Sequence, residues 1–365
     1  MQFALFLHFH LKKIALLALF FLSFAVVSTR AQQAGPSDSV KPSTDHVKDD
    51  SSELETVVIE SWEEPSLAGS ELHAAEPLVG EFHEEETFTR QFVEVQWRPN
   101  DPIYLYVIRP KGVANPPAVL YLYSYPDEPE RFKDDKFCAM LTRNGVAAVG
   151  FVGALTGHRY HDRPFNDWFV SRLQESLVKS THDVQMILNY LHERGDIDMD
   201  RIGMFGDGSG ATIAILAAGV DSRIKVLDLL NPWGDWPVWL DKSTLVPEKE
   251  RPQYTTPEFL KKVAGLDPVT WLPKLNNRQV RLHILKNAVS VTPEAAKQHI
   301  QAAAPATAKI SLYEDLGAFM LQAASGGRIF EWMWAQLQEA PSNELKRASE
   351  SPVQAIPSKQ GDKTN

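Results

Sequence analysis

Cysteine is all but missing from this chain: Cys138 is the only one among 365 residues. No disulfide can form within the molecule, so its core must hold without one. Cys138 lies in "FKDDKFCAMLTRNG", where Phe132, Phe137, Met140 and Leu141 recur at helical spacing. A buried structural thiol is expected there rather than a nucleophile. Basic residues are also in deficit, 37 against 47 acidic, for a formal charge of −10. Phosphate binding needs a basic face, so nucleic acid is not expected as a partner. There is no Gly-Lys-Ser/Thr phosphate loop and no His-Glu-x-x-His, and no cofactor is expected.

Long apolar runs are scarce as well. The one that stands out, "IALLALFFLSFAVVS" from Ile14 to Ser28, follows Lys12 and Lys13 and is followed by Thr29, Arg30 and Ala31. A short basic start, an apolar stretch and small residues beyond it read as a secretory signal, residues 1–31, cleaved after Ala31. The run is shorter than the roughly 20 residues of a spanning helix, so no membrane span is expected after cleavage; an uncleaved anchor is the alternative. Removing Lys12, Lys13 and Arg30 leaves 34 basic and 47 acidic residues, a charge of −13. A secreted or periplasmic location follows.

What the chain does have is a large apolar share, 44% hydrophobic against 23% charged. That is enough for one sizeable core. Residues 32–80 are acidic and polar and read as a flexible lead, and residues 341–365 as a disordered polar tail. Between them, residues 81–340 form one domain without an internal repeat. Its strand candidates are "RQFVEVQW", "PIYLYVIRP", "PAVLYLYS", "VAAVGFVG", "RIGMFG", "KVLDLLN", "VRLHILKN" and "KISLYED". The first two suit an antiparallel hairpin. Helical stretches separate the later ones: 132–143, 177–194, 209–218, 257–263, 293–302 and 328–339. The pattern predicts an α/β fold, an eight-stranded, mostly parallel sheet with helices on both faces. A small Trp-rich insertion follows the sixth strand.

In "RIGMFGDGSGATIAILAAG" an apolar strand meets a glycine-rich turn and then an alanine-rich helix. With "NYLHERGDIDMDRIGMFG", "DSRIKV" and "LDPVTWLPKL" ahead of "VRLHILK", this resembles the α/β-hydrolase superfamily. The likeness is in particular to its exported esterase and peptidase-like members, of the dienelactone hydrolase and acetyl xylan esterase type. The resemblance spans most of 88–339 and implies a Ser-His-acid hydrolase presenting its serine in Gly-x-Ser-x-Gly. The residues two before and two after the serine must be small, because strand and helix pass closely. Here Gly206 and Gly210 are that pair, which places Gly208 at the nucleophile position. Ser209 belongs to the competing register, flanked by Asp207 and Ala211. The family's histidine turn after the last strand reads Leu316-Gly317-Ala318-Phe319, with Ala318 at the histidine. The acid position after the preceding strand holds Asn287. Neither glycine, alanine nor asparagine can attack, relay a proton or orient an imidazole in the needed way.

Where the family has His-Gly after its third strand, this chain has Tyr123-Ser124-Tyr125. Backbone N–H groups of Ser209 and near Ser124 or Tyr125 are the candidate oxyanion or ligand donors. A displaced triad would draw on Ser209 or Ser124, on His158, His161 or His182, and on Asp235. His283 reads as a packed strand histidine and His299 as mid-helix. The loop with His158, His161 and Asp162 lacks a fourth metal ligand, so no metal site is expected. Trp233, Trp236 and Trp239 either line a ligand cleft or close a lid. Two functions remain: an inactive relative that binds a small ester-like, carboxylate or saccharide ligand or another protein, or an active ester hydrolase working through Ser209. N-terminal sequencing of the exported protein is expected to start at Gln32; a start at Met1 in the membrane fraction would establish the anchor instead.

Overall fold

The computed structural model describes residues 60–70, 72–126, 129–160, 164, 166–287, 291–324 and 328–339. Residues 1–31 and 341–365, expected as signal and tail, lie outside these. The strands are β1 (Leu78–Glu84), β2 (Phe88–Val95), β3 (Ile103–Pro110), β4 (Ala118–Leu122), β5 (Ala147–Phe151), β6 (Ile202–Asp207), β7 (Ile224–Leu230), β8 (Gln279–Leu285) and β9 (Lys309–Tyr313). They form one sheet in the order β1-β2-β3-β5-β4-β6-β7-β8-β9. β1, β2 and β3 are antiparallel to their neighbours and the rest run parallel. The C-terminal ends of β4 through β9 therefore share one edge, where the connecting turns collect.

Every residue of β4 and β5 is buried, which is why "AVLYL" and "AAVGF" read as unbroken apolar runs: parallel strands are covered on both faces. Side chains alternate between two cores. Leu120 and Leu122 pack into the core that contains Ile213 and Leu216, whereas Val119 and Tyr121 pack with Phe330 and Trp334. Helices α1 (Asp135–Thr142), α2 (Leu173–Arg194) and α3 (Ser209–Val220) cover the centre, and α3 is apolar all round because sheet and neighbouring helices enclose it. α2 stops at Gly195, whose φ of 69° and N–H bond to the His192 carbonyl make a left-handed cap. Between β7 and β8 come α4 (Trp236–Lys242), α5 (Arg251–Tyr254), α6 (Pro257–Ala264) and α7 (Pro268–Trp271). Then follow α8 (Glu294–Ala303), α9 (Leu316–Ala324) and α10 (Arg328–Glu339).

All eight expected strands are present, but the sheet has nine among the described residues. The addition is β1, an edge strand whose Leu78, Val79 and Phe82 are exposed; with no face buried it carries no alternating apolar pattern. Counting β1, the Trp-rich insertion follows β7. The acidic lead also proves shorter than expected, because residues from Glu60 onward are fastened to the domain. Glu60 takes two hydrogen bonds from Arg98, at 2.5 and 2.7 Å, and lies 2.6 Å from Nδ1 of His182. Gln185 binds the Pro65 carbonyl at 2.9 Å. Polar composition hid this because the partners are polar too.

Those contacts belong to a buried ion cluster. Asp183, inside α2, accepts from Arg98 at 2.5 Å, Arg159 at 2.7 Å and the Trp97 indole at 3.2 Å. Arg159 also holds Asp101, at 2.9 and 3.0 Å, and Lys179 meets Asp101 at 3.1 Å. A buried carboxylate this well partnered is costly to break on one side. Burial acts to raise the Glu60 carboxyl, but hydrogen bonds from Arg98 and His182 prevail and hold it at about 2 instead of 4.5. Its stabilisation is complete above pH 4.5 and is lost as pH falls toward 2. Glu60→Gln should cost on the order of 3 kcal/mol at neutral pH and flatten the acid limb of the stability curve; chemical denaturation at pH 7 and pH 3 tests both.

Candidate functional site

The strand-to-helix turn is built by glycines with no room for anything larger. A Cβ on Gly206 would lie 2.5 Å from the Ala211 backbone, and one on Gly210 would lie 2.1 Å from the Leu122 carbonyl oxygen. These are the two close-packed positions that flank the apex of an elbow. Between them Gly208 caps α3 with φ 53° and ψ −114°, a left-handed conformation that strains any other residue. Its N–H binds the Leu230 carbonyl at 2.9 Å, and its own carbonyl receives Thr212 N–H at 3.2 Å.

The space beyond Gly208 is taken. A Cβ there would meet Ser124 Oγ at 2.5 Å, Trp233 Nε1 at 2.9 Å and Ser124 Cβ at 3.0 Å. A hydroxyl can rotate aside, but the indole cannot. Trp233 stacks on Trp239 with ring centroids 4.8 Å apart and meets Phe169 edge-on at 5.9 Å. Its carbonyl is held by Thr212 Oγ1 at 2.5 Å. Tyr125 packs on Phe169 at 5.4 Å and continues the wall.

Ser209 is 2% exposed, and its Oγ accepts the Tyr125 N–H at 2.9 Å. That bond ties the start of α3 to the loop after β4. It also occupies the Tyr125 N–H, one of the backbone donors expected for an oxyanion or ligand. Asn287 lies beyond the end of β8, exposed, its N–H on the Glu314 carbonyl at 2.8 Å. Ala318 is exposed in the first turn of α9, where Asp315 accepts its N–H at 2.8 Å. Gly208, Asn287 and Ala318 thus follow β6, β8 and β9 along one edge of the sheet.

Of the histidines proposed for a displaced triad, only His182 has a described side chain. His182 is bound to Glu60 and to the Glu64 carbonyl, while His161 and Asp162 lie outside the described residues and His158 falls in a short 3-10 turn, Gly157–Tyr160. His283 is buried in β8, with Nε2 2.7 Å from Asp228 and Nδ1 3.0 Å from the Tyr313 hydroxyl. The acid expected for that triad, Asp235, instead meets His299 Nδ1 at 2.6 Å. Sequence reasoning missed this pair because 64 residues separate the partners and His299 sits in α8 with no local motif.

All three tryptophans are buried in one core, at 2%, 1% and 0% exposure for Trp233, Trp236 and Trp239; Trp233 also crowds Gly208. A cleft of about 450 Å³ lies beside them between α4, α6, α7 and α8, lined by Asp235, Trp236, Leu260, Lys261, Asp267 and His299 among others. None of Gly208, Asn287 and Ala318 lines it. Among the described residues, His83, Glu85 and Asp135 alone cluster at metal-ligand spacing, and Arg90 already binds that Asp135 at 2.8 Å. No described helix is long and apolar enough to cross a membrane.

A mostly parallel sheet with one exchanged strand pair, flanking helices and a sharp glycine-walled turn into a buried helix define this as the α/β-hydrolase fold. Comparison with solved structures agrees. Acetyl xylan esterase 1 from Thermoanaerobacterium sp. JW/SL YS485 superposes with a TM-score of 0.56 at 13% identity, over 70% of this chain and 88% of that one. Acetyl xylan esterase from Paenibacillus sp. R4 gives 0.53 at 17%, over 72% and 89%. An S-formylglutathione hydrolase from Agrobacterium tumefaciens gives 0.51 at 14%, over 71% and 99%. No family model and no curated protein matches the sequence. At these identities the likeness is one of fold.

Gly208→Ser adds a side chain against Trp233 at a left-handed position, so it is expected to lower stability by about 1–3 kcal/mol. A thermal melt checks this, with Gly219→Ser unsuitable as a control because Trp271 crowds Gly219 at 2.3 Å; Gly265→Ser, where a Cβ meets nothing within 4 Å, is the proper one.

Proposed function

We propose that this is an exported protein of the α/β-hydrolase fold that does not hydrolyse esters and acts by binding a small ligand or another protein. The observation that carries the reading is the apex of the elbow. Gly208 occupies the backbone position from which such folds present a nucleophile, and Ser124 and Trp233 fill the volume a nucleophile would need. Asn287 and Ala318, after β8 and β9, supply neither a carboxylate nor an imidazole. Acyl transfer by a Ser-His-acid triad needs all three functions within mutual reach.

Ser209 is the serine through which activity would survive. Two features speak against it: near-complete burial, and an Oγ engaged by the Tyr125 N–H rather than by an imidazole. A serine without an adjacent base is a weak nucleophile at neutral pH. The N-terminal leader supports export.

Intact-mass measurement after incubation with a reactive fluorophosphonate tests the reading. No adduct is expected on the wild-type protein or on Ser209→Ala. An adduct on the wild type that disappears in Ser209→Ala would establish an activated serine one position past the apex and make the protein a hydrolase.

A further inference from the structure

Among the described residues, most of the large apolar side chains left exposed lie at the two ends of the sheet. At one end are Leu78, Val79 and Phe82 of β1. At the other are Ile310 and Leu312 of β9, 42% and 56% exposed, followed by Leu316 and Leu321 of α9. The two edges are guarded differently. β1 carries a register shift between Val79 and Phe82, and Glu81 and Glu84 lie along it. A bulged, acidic edge resists further pairing. β9 keeps an unbroken register with β8 from Lys309 to Tyr313 and contains neither proline nor glycine.

The outer backbone of β9 is open as well. The Tyr313 carbonyl accepts the Lys286 N–H, beyond the end of β8, at 2.9 Å. Backbone groups of successive strand residues point to alternate sides, so Tyr313, Ser311 and Lys309 bond toward β8. The N–H and C=O groups of Ile310 and Leu312 point the other way. No described strand lies on that side. Such a row of unpaired groups is a template for another strand.

We propose that β9 is a docking edge and that its partner is β9 of a second copy of this chain, antiparallel to it about a two-fold axis at Ser311. The proposal goes beyond the reading of the elbow and does not depend on it. Antiparallel strands exchange hydrogen bonds between residues that both point outward. With the two Ser311 residues opposed, Ile310 faces Leu312 of the other copy and Leu312 faces Ile310, which uses all four outward groups of each strand. The same register brings four apolar side chains together on one face. On the other face it sets Lys309 beside Tyr313 of the second copy, with Asp315 one diagonal place further and within reach of a long side chain. Lys309 is exposed and has no ion pair among the described residues, and Asp315 is exposed too. A slip of two residues sets Ile310 against Glu314 or Leu312 against Ala308, and a slip of one opposes the wrong faces. Such a self-complementary patch is what a closed two-fold dimer requires.

Sedimentation of the full mature chain tests the proposal. A junction of two strands is a small interface, so a monomer–dimer equilibrium with a Kd of about 1–100 μM is expected. Leu312→Lys places charge in the shared apolar patch and should raise that Kd at least about tenfold. Its melting temperature, read on the monomer, should not change, because Leu312 is exposed there. Ser311→Cys tests the register. Opposed residues of a non-hydrogen-bonded pair have Cα atoms about 4.5 Å apart, within disulfide range, so oxidation with diamide should give a covalent dimer. Lys309→Cys should not, since the two copies of that position stand about 14 Å apart. The native Cys138 is buried and leaves little background. A monomer at about 500 μM, a Kd unmoved by Leu312→Lys, or equal cross-linking at positions 309 and 311 would each overturn the proposal. A dimer that forms only once residues 340–365 are deleted would assign the edge to that tail instead, and overturn it likewise.

Discussion

The tight passage of α3 past the end of β4 governs this molecule. Gly210 brings its backbone so near the Leu122 carbonyl that a single carbon more would collide, and Gly206 does the same against Ala211. Because β6 must turn into α3 within that space, Gly208 is forced to a left-handed conformation. The first helical residue, Ser209, then faces the β4 loop and binds it. The position of Trp233 follows, since Thr212 in the first turn of α3 holds the Trp233 carbonyl and Gly208 accepts the Trp233 N–H. Ser124 and Trp233 crowd the space beside Gly208 that a side chain there would need.

Elsewhere the structure secures its polar groups rather than leaving them reactive. Asp183 of α2 with Arg98 and Arg159, and Asp228 of β7 with Arg281 and His283 of β8, are buried clusters. Cys138 follows the same rule: burial pushes its thiol up to about 11, with Arg90 pulling the other way, so little thiolate exists at neutral pH. Among the ion pairs, Asp235 with His299 and Glu60 with Arg98 each border a cleft.

Much of the architecture was legible in the residues. Seven of the eight expected strands are covered on one or both faces, so burial wrote itself into "AVLYL" or "IGMFG" as apolar runs; β9, with Ile310 and Leu312 exposed, was legible from its β-branched and aromatic residues alone. β1 was not legible because it lies at the exposed edge, and its glutamates read as solvated surface. α4 escaped for a different reason. It opens with a left-handed Asp235 and carries Pro237 in its first turn, features that read locally as a loop. The glycine spacing 206-208-210 placed the elbow, since only steric closeness demands small residues two apart.

The sequence by itself determined the parallel part of the sheet and the glycine-walled turn between β6 and α3, because strand burial and turn sterics act over a few neighbouring residues. Only the tertiary structure decided what packs against Gly208 and which carboxylate meets His299. Ser124 and Trp233 reach Gly208 from separate loops, and Asp235 finds His299 across β8. Such meetings depend on how distant segments pack, and no local pattern encodes them.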